Sequence, residues 1–180
     1  MPTGKVSSTK SPKKSDAAAP SAGDSSALAG KKAPAFELPD RSGKTVALKD
    51  LVGRKNLVLY FYPKDMTTGC TAQACSFNDN IGALRKMGAE VVGVSADSPA
   101  LHQKFTDKYS LGFPLLSDAD NRVTRLYGVY KKKSMYGREY MGIERTTFVI
   151  DKDGVVRKVF PKVKVNGHTD EVVAALKELG

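Results

Sequence analysis

Cys70 and Cys75 are the residues of this chain best suited to covalent chemistry, and they stand five positions apart in the segment Tyr62-Pro63-Lys64-Asp65-Met66-Thr67-Thr68-Gly69-Cys70-Thr71-Ala72-Gln73-Ala74-Cys75. If a helix opens near Thr68 to Cys70, the Cys70 thiol meets unpaired backbone N–H groups and the positive end of the helix dipole. Both favour thiolate over thiol, and the thiolate is the nucleophile. In an ideal helix, positions i and i+5 are turned about 140° apart with a rise of about 7.5 Å, which separates the two Cα atoms by roughly 8.6 Å. A disulfide needs about 4.4 to 6.8 Å, so the two thiols can bond only if the first turns unwind. Thr67, Thr68 and Gly69 are weak helix formers and make that turn easy to melt. The alternative is that both cysteines are small buried hydrophobes. Cys75 could pack inward in that way, whereas Cys70, just after a Thr-Thr-Gly turn, fits the description poorly. The spacing is not the Cys-x-x-Cys of a dithiol oxidoreductase. Nor is there a four-ligand zinc pattern, since only His102 and His168 could assist.

The elements that must position these thiols alternate between strand and helix. Leu57–Tyr62 is a continuous apolar run, the signature of a strand buried on both faces. Phe77, Ile81 and Leu84 then mark one face of a helix. Val91–Val94 is the next strand, and a helix follows from Pro99, suited to a first helical position, to Tyr109. Phe113–Leu116 is a short strand and Asn121–Tyr127 a short helix. Thr146–Ile150 and Val155–Phe160 flank Asp153-Gly154, a hairpin turn. A last helix spans Thr169–Leu179, and Phe36–Leu48 adds a small N-terminal hairpin. Alternation first and a hairpin last predict an α/β domain with a mixed central sheet and helices on both faces.

With 180 residues, 41% of them hydrophobic, the chain can bury one ordinary core. Two cysteines are too few to staple a secreted scaffold. No apolar run reaches the roughly 18 to 20 residues of a membrane helix, and the N-terminus lacks the apolar stretch of a signal peptide. The formal charge is +10. Residues 1–32 carry six Lys against two Asp, together with seven Ser, six Ala and no aromatic residue. Such a composition cannot offset its ordering entropy, so residues 1–32 read as a disordered basic tail and residues 33–180 as the folded domain. Ser11-Pro12-Lys13-Lys14 is similar to the basic turns of chromatin-binding tails, and Lys13-Lys14 with Lys31-Lys32 forms an imperfect bipartite import pattern. Weak nucleic-acid contact through this tail and Lys131–Lys133 is therefore one expectation, with the nucleus as the alternative to a cytoplasmic location. A merely solubilising tail is the other. Lys131–Lys133 reads as a solvated loop, Asp151–Gly154 as a turn, and His168 as an aid to the start of the last helix.

Tyr60-Phe61-Tyr62-Pro63-Lys64-Asp65 through Gly69-Cys70-Thr71 and Ala74-Cys75 resembles the active-site signature of the peroxiredoxins, in particular the Q-type subgroup also called bacterioferritin-comigratory-protein-like. The family pattern Pro-x3-Thr-x2-Cys falls on Pro63, Thr67 and Cys70. A second element, Arg-[Ser/Thr]-Thr-Phe, matches Arg145-Thr146-Thr147-Phe148. The likeness extends to Val94–Ser98, Leu116–Asp118 and Lys164–His168, covering about residues 33–180. One departure is Thr68, where the family commonly has Pro; it removes no catalytic group.

This resemblance implies a thioredoxin-like fold and a peroxidase that reduces hydrogen peroxide and organic hydroperoxides without metal, haem or flavin. It makes Cys70 the peroxidatic cysteine, oxidised to a sulfenic acid, and Cys75 the resolving cysteine that closes an intramolecular disulfide. Thioredoxin or a similar dithiol would restore both thiols. Arg145 would favour the thiolate and hold developing negative charge, Thr67 would orient the peroxide, and Pro63 would shield the sulfur from water. A resolving cysteine on the same chain removes the need for a partner subunit, so a monomer is expected. An ordinary surface ion pair is the competing reading for Arg145.

Overall fold

The computed structural model describes residues 24–179. The reading of residues 1–23 as a disordered tail, with its basic turn and first lysine pair, lies outside the described residues. Residues 24–32, the end of the supposed tail, are built into the domain. Ser25–Leu28 forms a 3-10 turn with Ser25 buried, Gly30 N–H donates to the Val156 carbonyl, and Lys32 bridges Val155. The Lys32 ammonium donates to the Asp153 carbonyl at 2.6 Å. Residues 24–32 therefore pack with the domain expected to begin at Ala33, because Leu28 finds an apolar face that composition alone does not reveal.

Strands β1 (Glu37–Pro39) and β2 (Thr45–Ala47) make the expected N-terminal hairpin, followed by a single turn, α1 (Leu48–Leu51). The core is a five-stranded sheet of β3 (Asn56–Phe61), β4 (Ala89–Ser95), β5 (Leu115–Ser117), β8 (Thr146–Ile150) and β9 (Val156–Phe160). Its order is β5-β4-β3-β8-β9. Strands β3, β4 and β5 run parallel, while β8 and β9 are antiparallel to their neighbours, giving the mixed sheet expected.

Alternate side chains of β3 and of Tyr62, which continues it, seed two cores, as the two-residue period of a strand requires. Val58, Tyr60 and Tyr62 face helices α2 (Thr68–Asp79), α3 (Ile81–Lys86), α4 (Pro99–Tyr109) and α6 (His168–Glu178) through Phe77, Leu84, Phe105 and Val172. Leu57, Leu59 and Phe61 face the N-terminal hairpin, α1 and α5 (Arg122–Leu126) through Leu38, Leu48 and Val123.

Two elements depart from expectation. The helix read through Phe77, Ile81 and Leu84 is two helices broken at Asn80. This residue leaves helical geometry at φ −105° and ψ 6°, and its side-chain amide donates to the Ser76 carbonyl at 2.8 Å. Its own carbonyl accepts from Leu84 N–H, so one asparagine closes α2 and opens α3. The solvated loop expected at Lys131–Lys133 is instead an arm of the hairpin β6 (Tyr130–Met135) and β7 (Arg138–Ile143). Tyr136 and Gly137 both adopt positive φ, 52° and 77°, the geometry of a two-residue type I′ turn.

Gly93 on β4 illustrates how tightly the side chains of the neighbouring strands β3 and β5 close over it. A Cβ there would lie 2.8 Å from Leu115 Cδ2 and 2.9 Å from the hydroxyl of the buried Tyr60. Gly93→Ala is expected to destabilise the fold by about 1–3 kcal/mol through overpacking, read as a lowered Tm in thermal denaturation.

Candidate active site

β3 ends at Phe61, and the loop Tyr62–Thr67 carries the chain from the sheet to the N-terminus of α2. Within α2 the buried residues are Cys70, Gln73, Ala74 and Phe77, a spacing of i, i+3, i+4 and i+7 that lays one stripe against the sheet. Cys70 heads that stripe and is 1% exposed. Cys75 falls off it and is half-buried, so the inward packing possible for Cys75 is only partly realised. Both thiols are free and both lie in intact helix.

The start of α2 is unusually open to a negative group. Its first turn holds no acidic residue, and Thr67, at the N-cap, makes no side-chain capping bond. Instead Thr67 Oγ1 donates to the Lys64 carbonyl at 2.9 Å, which leaves its lone pairs free to accept. Among the described residues, the N–H groups of the first turn thus have no side-chain acceptor, and Cys70 lies among them.

Arg145, between β7 and β8, closes the site from above. Its Nη2 donates to Cys70 Sγ at 3.3 Å, and its Nη1 donates to Gln73 Oε1 at 2.6 Å. The guanidinium fork therefore spans a sulfur and an amide one helical turn apart, a geometry that no ordinary surface ion pair shows. Gly69 leaves room for this approach, since a Cβ there would lie 3.0 Å from Arg145 Nη2 and push the guanidinium aside. Pro63 is half-buried in the same loop and presents no N–H. The structure thus gathers Pro63, Thr67, Cys70 and Arg145 at one end of the sheet.

Known proteins resemble this chain in sequence and in fold. Residues 29–159 match the model of the AhpC/TSA family. Peroxiredoxin Bcp of Bacillus subtilis and Peroxiredoxin Bcp of Escherichia coli K12 are each 47% identical over 150 residues, covering 83% of this chain and 95% and 96% of their own lengths. Peroxiredoxin Q of Xanthomonas campestris superposes with a TM-score of 0.75 at 43% identity, over 79% of this chain and 90% of its own. The chain belongs to the Q-type, or Bcp, peroxiredoxins. Its fold is accordingly thioredoxin-like, and this peroxiredoxin is a thiol-dependent peroxidase, an oxidoreductase acting on hydroperoxides with electrons from a thioredoxin-type dithiol. Peroxidoxin BcpB of Mycobacterium tuberculosis shows the same fold, with a TM-score of 0.76 at 36% identity over 85% of this chain and 98% of that one.

Three features of this peroxiredoxin escaped the sequence reading. Gln73 is a polar residue on a buried helical stripe, and that mismatch was the signal available. Lys133 lies on β6 with its stem over Gly142; burial, then the Arg145 cation, hold its ammonium below the usual lysine range. Cys75 is pushed the other way, up, by burial first and the Asp79 carboxylate second, so it rests as a thiol while α2 is folded.

His168 does begin α6, but its side chain turns into the core, where Nε2 meets Thr147 Oγ1 at 2.8 Å and Phe77 and Phe160 flank the ring. Burial holds its imidazole below the ordinary value of 6.5 despite the raising pull of Glu171. Below about pH 6.5 the unfolded chain therefore binds a proton that the folded chain does not, and stability falls as pH drops through that window. Thermal denaturation between pH 7 and pH 5 is expected to show a loss of Tm that is smaller in His168→Gln.

Proposed function

We propose that Cys70 is the peroxidatic and Cys75 the resolving cysteine of this peroxidase. The observation that carries the reading is the buried Cys70 sulfur at the mouth of α2 with a guanidinium N–H aimed at it from 3.3 Å. A charge-assisted donor of this kind suits a thiolate, and it remains in place as charge moves onto the peroxide oxygens. The Cys70 thiolate attacks the terminal oxygen of ROOH in line with the O–O bond. That bond breaks, RO⁻ leaves and is protonated to ROH, and Cys70 becomes a sulfenic acid. Thr67 Oγ1, its hydrogen committed to Lys64, accepts from the peroxide O–H and orients it. Pro63 keeps water from the sulfur.

The first turns of α2 then unwind, Cys75 attacks the sulfenic sulfur, and hydroxide departs as water when it takes up a proton. The product is an intramolecular disulfide, which a dithiol such as thioredoxin reduces by thiol–disulfide exchange. Both thiols sit on one helix, so a single chain completes the cycle. Organic hydroperoxides join hydrogen peroxide as substrates in this reading; trapped intermediate and ligand complexes of the Xanthomonas campestris bacterioferritin comigratory protein concern its alkyl peroxide reduction activity.

One equivalent of hydrogen peroxide is expected to convert two free thiols into a Cys70–Cys75 linkage, seen by mass spectrometry of non-reduced peptides. Amide exchange across residues 67–75 should accelerate in the oxidised protein. Loss of both thiols without that linkage would remove Cys75 from the resolving role.

A further inference from the structure

Beside the thiol site lies a buried cluster of ionisable groups that the reaction does not use. Asp65, in the loop before α2, is 5% exposed and turns its carboxylate inward. Oδ1 accepts from the Tyr62 hydroxyl at 2.5 Å, and Oδ2 lies 2.6 Å from Nδ1 of His102, which is fully buried on α4. The backbone N–H of Asp65 donates to Asp97 Oδ2 at 2.7 Å, and Ser95 Oγ donates to the same oxygen at 2.7 Å.

The proton inventory of this cluster follows from its acceptors. His102 Nε2 lies 3.0 Å from the Leu116 carbonyl oxygen, which can only accept, so Nε2 carries a hydrogen. A bare Nδ1 lone pair could not then face a carboxylate oxygen at 2.6 Å. A hydrogen bond therefore joins them, and every polar atom of the ring and the carboxylate is bonded.

The consequence is mechanical. Asp65 is fixed from three directions, by Tyr62, His102 and Asp97, immediately before Met66, which holds the left-handed φ of 66°. Such a backbone is uncommon for a residue without special turn chemistry and persists where its neighbours enforce it. Thr67 and α2 follow directly. We propose that His102 is a positioning residue of the peroxidase site: acting through Asp65, it holds the Pro63–Thr67 loop so that Thr67 and Cys70 stand in register with Arg145. It also sets the upstream limit of the unwinding that lets Cys70 reach Cys75. This inference rests on the assignment of Cys70 as the peroxidatic cysteine.

Two amide replacements separate the two ring nitrogens. The Asn side chain in His102→Asn can place its amide nitrogen where Nδ1 stood and donate to Asp65. The longer chain in His102→Gln reaches toward Nε2, restores the Leu116 bond and leaves Asp65 without that donor. Oxidation of Cys70 by a first equivalent of hydrogen peroxide should stay within about threefold of wild type in His102→Asn. It should fall about tenfold or more in His102→Gln, since a misplacement near 1 Å carries effects of that order. Disulfide closure after the sulfenic acid forms should not slow in either variant, a split that simple loss of folded protein would not produce. Tyr62→Phe, which removes one bond to Asp65 and keeps the ring packing, should show a smaller fall in the same first step and covers the case in which a His102 variant does not fold. Equal rates in Asn and Gln variants, the reverse order, or an unchanged Tyr62→Phe where the histidine variants fail to fold, overturns the proposal. Wild-type protein in the same assay tests the underlying reading separately: if peroxide leaves its Cys70 thiol intact, the peroxidatic assignment fails, not the positioning one.

Discussion

Cys70→Ser is expected to abolish peroxide consumption while leaving the fold in place. Serine carries no oxidisable sulfur, and its hydroxyl is far too weak an acid to supply a nucleophile unaided. The change is small in volume, and the serine oxygen can still accept from Arg145 Nη2, so the buried site is not left with a stranded cation. Tm should therefore move little while activity falls to the uncatalysed rate, measured as peroxide loss in the presence of thioredoxin or dithiothreitol. Cys75→Ser should behave differently. Its Cys70 is oxidised in a first turnover at the wild-type rate, and the disulfide then fails to form. An equal loss of the first turnover in both variants would reverse the two assignments.

Arg145→Gln is expected to slow the oxidation of Cys70 by about 10²–10³-fold, the usual effect of deleting one preorganised donor from a site where negative charge develops. The guanidinium makes two bonds at once, to the sulfur and to Gln73 Oε1, and one amide cannot reproduce both. Lysine should also fail to restore the rate, because a single ammonium lacks the fork that spans one turn of α2. The rate of the first oxidation, followed under single-turnover conditions, separates this effect from any change in reduction by the dithiol. A rate within threefold of wild type would show that the bond to sulfur contributes nothing to the chemistry.

Much of this architecture is legible in the amino-acid order because local and global signals agree. The apolar run of β3 declares a central strand, and Ser98-Pro99 places the start of α4, where Ser98 Oγ accepts from Leu101 N–H. Asp153-Gly154 marks the turn before β9. The hairpin β6–β7 gives no such signal: its side chains are mostly exposed, so no alternation of apolar and polar residues survives, and its turn puts Tyr136 where Asn or Asp is usual. Asn80 breaks a helix without disturbing the apolar period on either side of it. In the proposed site, Cys70 and Cys75 stand out by their own chemistry, whereas Pro63, Thr67 and Arg145 are reached only through the resemblance to the family patterns Pro-x3-Thr-x2-Cys and Arg-[Ser/Thr]-Thr-Phe. Gln73 and His102 are reached by neither, because their partners come from β7–β8, from the loop before α2 and from the Leu116 carbonyl of β5. Each is a polar residue on a helical face otherwise committed to the core, Gln73 with Ala74 and Phe77, His102 with Phe105.

The break at Asn80 has a bearing on how far damage from melting can spread. A continuous helix from Thr68 to Lys86 would transmit fraying along its whole length, loosening Leu84 and the sheet beneath it each time the proposed unwinding occurred. Because α3 has its own first hydrogen bond, to the Asn80 carbonyl, it keeps its footing when α2 lets go. In the proposed cycle Asn80 thus acts as a firebreak: the first turns of α2 can open while Leu84 goes on sealing the core, and repeated turnover need not expose sticky apolar surface to neighbouring molecules.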